Sequence, residues 1–209
     1  MYVVVTAFNA FANLKTNSSE VAVRQLGRTY KDTMGSGLRT VVLPTAYRLV
    51  DENIRALLQP PVPDVLLMSG MSAGAREVRV ESVARNYDAC AARDNVGDVR
   101  RGDRIRVDGP EVYRSTIDPW AVWRALTTLG IPVVVSDDAG GFVCNHASYI
   151  AHDEIAQRRL ATRCGFLHLP GLDARLSRRK ELSARRSWSA QDLSLVLRMC
   201  LDMLGQRGL

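Results

Sequence analysis

Ile131-Pro132-Val133-Val134-Val135-Ser136-Asp137-Asp138-Ala139-Gly140-Gly141-Phe142-Val143-Cys144-Asn145-His146 is the stretch on which the fold turns. Its apolar start runs without alternation, which predicts a central strand buried on both faces over Pro132–Val135. A glycine-containing turn follows, and an amphipathic run over His146–Leu160 predicts a helix. Working outward, the same alternation of strand and helix recurs along the chain and predicts an α/β layered domain. Strands are expected at Val3–Phe8, Leu38–Leu43, Val65–Met68, Val78–Ala84 and Gly165–Leu169. Helices are expected at Ser19–Arg28, with Ser18 or Ser19 as N-cap, and at Tyr47–Leu58, Pro119–Leu129 and Ala190–Leu204. Gly70–Ala75 reads as a loop beyond its strand, and residues 87–113 as the main irregular region.

The chain has 209 residues, 46% hydrophobic and 24% charged, the balance of a globular protein with one sizeable core, so a single domain over 1–209 is expected. No apolar stretch approaches the ~18–20 residues of a membrane-spanning helix. Met1–Phe8 reads as a strand rather than a signal peptide, so a cytoplasmic location and no membrane partner are expected. Cys90, Cys144, Cys164 and Cys200 form no CxxC pair and no cluster with zinc spacing, so no metal, cofactor or disulfide is expected. Cys90, Cys164 and Cys200 read as small hydrophobes. Much of the net charge of +6 sits in Arg175–Arg186, which reads as a solvated loop before the last helix. No nucleic-acid-binding motif accompanies it.

Cys144 lies at a strand-to-helix turn, where helix N-terminal N–H groups favour a thiolate. His168, at the end of the apolar run Gly165-Phe166-Leu167-His168-Leu169-Pro170, supplies a base. Glu81, at the end of Val78-Arg79-Val80-Glu81, supplies an acid to orient it. A thiol, an imidazole and a carboxylate are what amide hydrolysis through an acyl-enzyme requires, with backbone N–H groups near Cys144 for the oxyanion. His146 is expected to cap or pack at the helix start, and His152 to be structural or exposed.

Four blocks carry a resemblance over nearly the whole chain: Glu81-Ser82-Val83-Ala84-Arg85-Asn86, Asp94-Asn95-Val96-Gly97, Ala139–His146 and Gly165–Pro170. Together they resemble the pyroglutamyl peptidase I family of cysteine peptidases. The resemblance implies a three-layer α/β/α sandwich with a central twisted mixed sheet, and homodimers or homotetramers. It implies release of N-terminal pyroglutamate from peptides, with Cys144 as nucleophile, His168 as base and Glu81 as its orienter. It also implies a small lactam pocket walled by Phe8, Phe11, Phe142 and Val143, with Asn17 as a polar contact and Met71 nearby.

The departures from the family pattern gather around that pocket. Ala7, Ala12 and Asn13 stand where the family has glycine, which implies a reshaped loop. Met71 and Ala75 stand where Gln and Arg are frequent. Ala91 removes a guanidinium expected near the acid, for which Arg85 or Arg93 are the nearest replacements. These changes support an alternative, a related cysteine amidase, acyltransferase or cyclase acting on another lactam or amide. A non-catalytic binding protein on the same scaffold would instead carry an unreactive Cys144.

Overall fold

The computed structural model describes residues 1–30, 37–172 and 187–206. The basic run Arg175–Arg186 lies outside them. Fifteen elements follow in order: β1 (Tyr2–Phe8), α1 (Ser18–Thr29), β2 (Gly37–Leu43), α2 (Tyr47–Leu57), β3 (Val65–Ser72), β4 (Val78–Glu81), β5 (Val83–Arg85), β6 (Asp88–Cys90), β7 (Arg100–Asp103), β8 (Val112–Arg114), α3 (Pro119–Thr128), β9 (Val133–Ser136), α4 (Val143–Gln157), β10 (Arg163–Pro170) and α5 (Ala190–Gln206).

In β1, Val3, Val5 and Ala7 belong to one buried apolar cluster, and Val4 and Phe8 to another. A strand apolar on both faces needs a helical layer on each side. Val23 and Leu26 of α1, Val122 and Leu126 of α3, and Leu193, Val196 and Leu197 of α5 complete the first cluster. Val50 and Ile54 of α2, with Ala147, Ile150 and Ala151 of α4, complete the second. The result is an α/β/α sandwich around a six-stranded sheet of order β2-β1-β3-β10-β4-β9. The sheet is mixed: β2, β1, β3 and β10 run parallel, β4 runs antiparallel to β10, and β9 runs parallel to β4. A short ribbon, β6–β7, lies within the region read as irregular, and a second, β5–β8, spans it from either end.

Several elements differ from expectation for identifiable reasons. β3 runs on through Ser72 because Gly70, Met71 and Ser72 find ladder partners in His168, Leu169 and Pro170 of β10. The expected strand Val78–Ala84 breaks at Ser82, whose N–H and Oγ both bond to the Ser136 carbonyl, so β5 pairs with β8 instead of continuing in the main sheet. β9 lies at the sheet edge rather than its centre. Its Val133 is kept out of water by α3, whose Trp123 Nε1–H donates to the Val133 carbonyl. α1 is capped by Asn17, not by a serine: Asn17 Oδ1 accepts from Ser19 N–H at 3.0 Å.

The loop after β1 carries one strained residue. Ala12 has φ 52°, the left-handed region that glycine enters freely and an L side chain enters at a cost of about 1–2 kcal/mol. Ala12 thus holds a conformation that a glycine would adopt without strain. Since Ala12 is exposed, its methyl group contributes little packing. Ala12→Gly is expected to stabilise the fold by about 0.5–1 kcal/mol, after the greater freedom of glycine in the unfolded chain is set against the relieved strain. Thermal unfolding would report this as a rise of about 2 °C, and an unchanged or lower midpoint would refute it.

Candidate active site

The sheet register assembles the site. In β10, Phe166 and His168 project toward the α2–α4 layer. The antiparallel partners Phe166↔Glu81 and His168↔Arg79 place Arg79 and Glu81 on that same face, with Glu81 diagonal to His168. His168 Nδ1 lies 2.8 Å from Glu81 Oε1, and both side chains are buried. On the other side of β10, Gly70 of β3 sits beside His168. A Cβ on Gly70 would lie 2.7 Å from Cys144 Sγ and 3.0 Å from the Phe166 ring. Glycine is thus what lets the thiol lie against the sheet. A glycine inside a strand pattern signals such a close approach, and reading 70–75 as a loop concealed it.

Cys144 is the second residue of α4, inside the first turn rather than on the loop before it. Phe142 is the N-cap residue and offers no side-chain cap; its carbonyl accepts from His146 N–H at 3.2 Å. The amides ahead of His146 lie in the first turn, which has no intrahelical acceptors for them, so they are available to an acceptor from outside the helix.

The next two residues hold this turn in place. Asn145 accepts from Arg85 N–H and donates to the carbonyls of Arg85 and Tyr87, locking α4 to the end of β5. His146 lies between Asp51 of α2 and Asp88 of β6, 2.7 Å from each, with its ring edge-on to Tyr47. Two carboxylates can only accept, so both ring nitrogens donate. Burial disfavours the charged ring, but the two carboxylates outweigh it and push His146 up to about 9. His152 is buried without such a partner, is held down at about 4, and stacks on Tyr113.

The electrostatics of His168 follow the same logic. Burial opposes its charged form, but the Cys144 thiolate, a hydrogen bond with Cys144 and the bond to Glu81 together push it up to about 9. With Nδ1 on Glu81, Nε2 is the nitrogen left for Cys144. Glu81 Oε2 is buried without a hydrogen-bond partner. The guanidinium near the acid is that of Arg79, with Nε 3.5 Å from Glu81 Oε1 and Nη2 on Ser136 Oγ. Arg85 instead bonds to the Asp137 carbonyl, and Arg93 to the Gly97 carbonyl. The alternation Val78-Arg79-Val80-Glu81 already put Arg79 on the face of the acid.

The pocket candidates divide by exposure. Phe8 and Val143 are fully buried and support the site from behind. Phe11, Phe142 and Met71 are half-buried; the Phe11 and Phe142 rings lie 5.6 Å apart, and Tyr47 meets Phe142 edge-on. Met71 Sδ accepts from Ser18 N–H. Asn17 is 1% exposed, with Oδ1 on Ser19 and Nδ2 on the Asn9 carbonyl, so its amide is engaged within the loop. Asp94 and Asn95, quoted in the sequence without a role, anchor the same wall. Asp94 accepts from the Tyr47, Val96 and Asp98 amides, and Asn95 Nδ2 donates to Asn9 Oδ1 and the Ala10 carbonyl. Among the described residues no cluster of His, Cys, Asp and Glu is arranged to hold a metal ion, and no helix is long and apolar enough to cross a membrane.

A sequence profile described as pyroglutamyl peptidase matches residues 1–200. A pyrrolidone-carboxylate peptidase 1 of Ralstonia nicotianae is 38% identical over 175 residues, covering 82% of this chain and 79% of the relative. The pyrrolidone-carboxylate peptidase of Brevibacillus brevis is 31% identical over 179 residues, 86% of this chain and 82% of the relative. Among solved structures, a pyrrolidone carboxyl peptidase from Fervidobacterium islandicum superimposes with TM-score 0.89 at 26% identity, covering 99% of both chains. The pyroglutamyl peptidase I of Bacillus amyloliquefaciens gives 0.87 at 25% identity, covering 98% of this chain and 94% of the other.

Two outcomes test the geometry. The His168 ring is expected to titrate near 9 by NMR, with Cys144→Ala moving that midpoint down furthest and Glu81→Gln moving it down by less. Because the folded value is raised, the stability this group contributes is present below about 6.5 and lost as pH rises through about 9. A midpoint unmoved by Glu81→Gln would contradict the assigned cause. Gly70→Ala is expected to displace the Cys144 thiol, cutting turnover by about 10²-fold or more while circular dichroism stays native; undiminished turnover would contradict the close approach.

Proposed function

The chain belongs to the pyroglutamyl peptidase family, and from that premise we propose that it removes the N-terminal pyroglutamyl (5-oxoproline) group from peptides through Cys144, His168 and Glu81. The observation that carries this reading is the continuous line from the Glu81 carboxylate through the His168 ring to a thiol in the first turn of α4.

The Cys144 thiolate attacks the carbonyl carbon that joins the pyroglutamyl group to the next residue. The oxyanion takes hydrogen bonds from amides of the α4 first turn, each such donor being worth about 3–4 kcal/mol in the transition state. The imidazolium of His168 gives its Nε2 proton to the departing amine, leaving a thioester on Cys144. His168, now neutral, takes a proton from water as that water attacks the thioester; collapse expels the Cys144 thiolate and pyroglutamic acid, which loses its proton to solvent, and the thiolate–imidazolium pair is restored. Glu81 keeps the Nδ1 proton in place throughout, so the ring always presents Nε2 to the reaction.

Phe11, Phe142 and Met71 are the side chains we read as facing the lactam ring, with Phe8 and Val143 behind them. Asn17 acts through the loop that it holds. The family relationship does not favour an acyltransferase or cyclase. A homodimer or homotetramer is the assembly implied by the family resemblance.

A fluorogenic pyroglutamyl amide is expected to be hydrolysed, with Cys144→Ala reducing kcat to background and Glu81→Gln lowering it by about 10²–10⁴-fold. Intact-mass measurement on rapid quenching should reveal the acyl group on Cys144. Turnover that survives Cys144→Ala would sink the assignment.

A further inference from the structure

One basic cleft near the site is absorbed neither by the fold nor by the catalytic line. A cavity of about 490 Å³ is lined by Ala89, Ala91, Arg93, Arg100 and Arg101, among others, on the β6–β7 ribbon and the loop between its strands. The ribbon register sets Ala89 opposite Arg101 and Cys90 opposite Arg100. The same Ala89 lies directly against the turn that precedes the nucleophile. Its N–H donates to the Gly141 carbonyl at 3.0 Å, and a Cβ on Gly141 would come within 2.5 Å of the Ala89 carbonyl oxygen. The cleft therefore flanks the first turn of α4, from which Cys144 acts.

The three guanidiniums of this cleft have no carboxylate partner among the described residues. The neighbouring acids are already committed: Asp88 to His146 and Asp98 to Arg48. Asp103 lies at the other end of the ribbon, opposite Asp88. Arg100 is half-buried over the Tyr47 ring at 5.1 Å, and its Nε is buried with no acceptor. Arg93 spends one Nη on the Gly97 carbonyl, and Arg101 is exposed. Like charges held together on a short ribbon repel one another, an arrangement that an incoming anion relieves. Guanidinium matches a carboxylate in particular, through its planar fork of N–H donors.

We propose that this cleft receives the carboxylate of an acidic residue in the leaving part of the substrate, so that the enzyme prefers pyroglutamyl peptides with Asp or Glu after the scissile bond. The inference rests on the pyroglutamyl-peptidase reading above and names the class of substrate it favours. Within this proposal the cleft serves the leaving side of the scissile bond, so the preference concerns the released peptide and not the acyl group.

The test is competitive hydrolysis of pyroglutamyl peptides that differ only in the residues after pyroglutamate: Glu or Asp, Gln, and Lys. In low salt, kcat/KM for the acidic peptide is expected to exceed that for the lysine peptide by about 5-fold or more, the scale of one or two half-exposed ion pairs. The ratio should shrink as salt is raised to about 0.5 M, where the Debye length falls to a few ångströms. Arg101→Gln and Arg93→Gln should each bring the ratio toward one, whereas Arg198→Gln, on the remote α5, should leave it at the wild-type value. Because each ratio is internal to one protein, a general loss of activity cancels, and the salt dependence of the wild type needs no variant at all. Hydrolysis of all the peptides with a flat or salt-independent ratio would overturn the cleft proposal alone. Failure to hydrolyse any pyroglutamyl substrate would overturn it together with the function on which it rests.

Discussion

The first turn of α4 is the constraint on which the site depends. A thiol has a short reach, and its attack angle is set by the helix that carries it. That helix is fixed by three independent contacts: Asn145 to the backbone of β5 and the residues beyond it, His146 to Asp51 and Asp88, and the bare Cα of Gly70 against Cys144 itself. Each belongs to a different element. Loosening one of them therefore shifts Cys144 relative to His168, which is held separately by the sheet. Displacements of about 1 Å are enough to cost two orders of magnitude in such chemistry.

The acid–base pair solves a different physical problem. Burying a carboxylate is expensive unless it is paired. Glu81 offsets that cost on one oxygen only, through His168 at 2.8 Å and Arg79 at 3.5 Å, and leaves Oε2 without a partner. The uncompensated oxygen keeps the negative potential on the His168 side high. Together with Cys144, which contributes most, that carboxylate favours the charged ring of His168 despite its burial.

Much of this was legible in the sequence. The layered α/β architecture followed from unbroken apolar strands between amphipathic helices. The three candidate residues Cys144, His168 and Glu81, which the fold brings together, were singled out by their positions at element ends and by the family resemblance. What escaped was tertiary in origin. Whether a strand is central or at an edge depends on neighbours far away in sequence, so Val133–Ser136 was misplaced. The break at Ser82 rests on hydrogen bonds to Ser136, 54 residues away. The acid's guanidinium partner, Arg79, was visible in the two-residue alternation beside Glu81 but was sought at Arg85 and Arg93. The role of His146 depends on carboxylates 58 and 95 residues distant, which no local pattern could join to it.

The antiparallel seam between β4 and β10 has a consequence for how this chain can vary. Along a strand, successive side chains point to opposite faces, so face is a matter of odd or even position. Glu81 and His168 share a face only while β4 keeps its parity relative to β10. A single-residue insertion or deletion upstream of Glu81 within β4 would turn the carboxylate toward the opposite, apolar face, putting Val80 in its place after an insertion before Val80 and Ser82 after a deletion. Changes of two residues would preserve the face. Length variation within β4 is thus confined by an arithmetic rule at one seam.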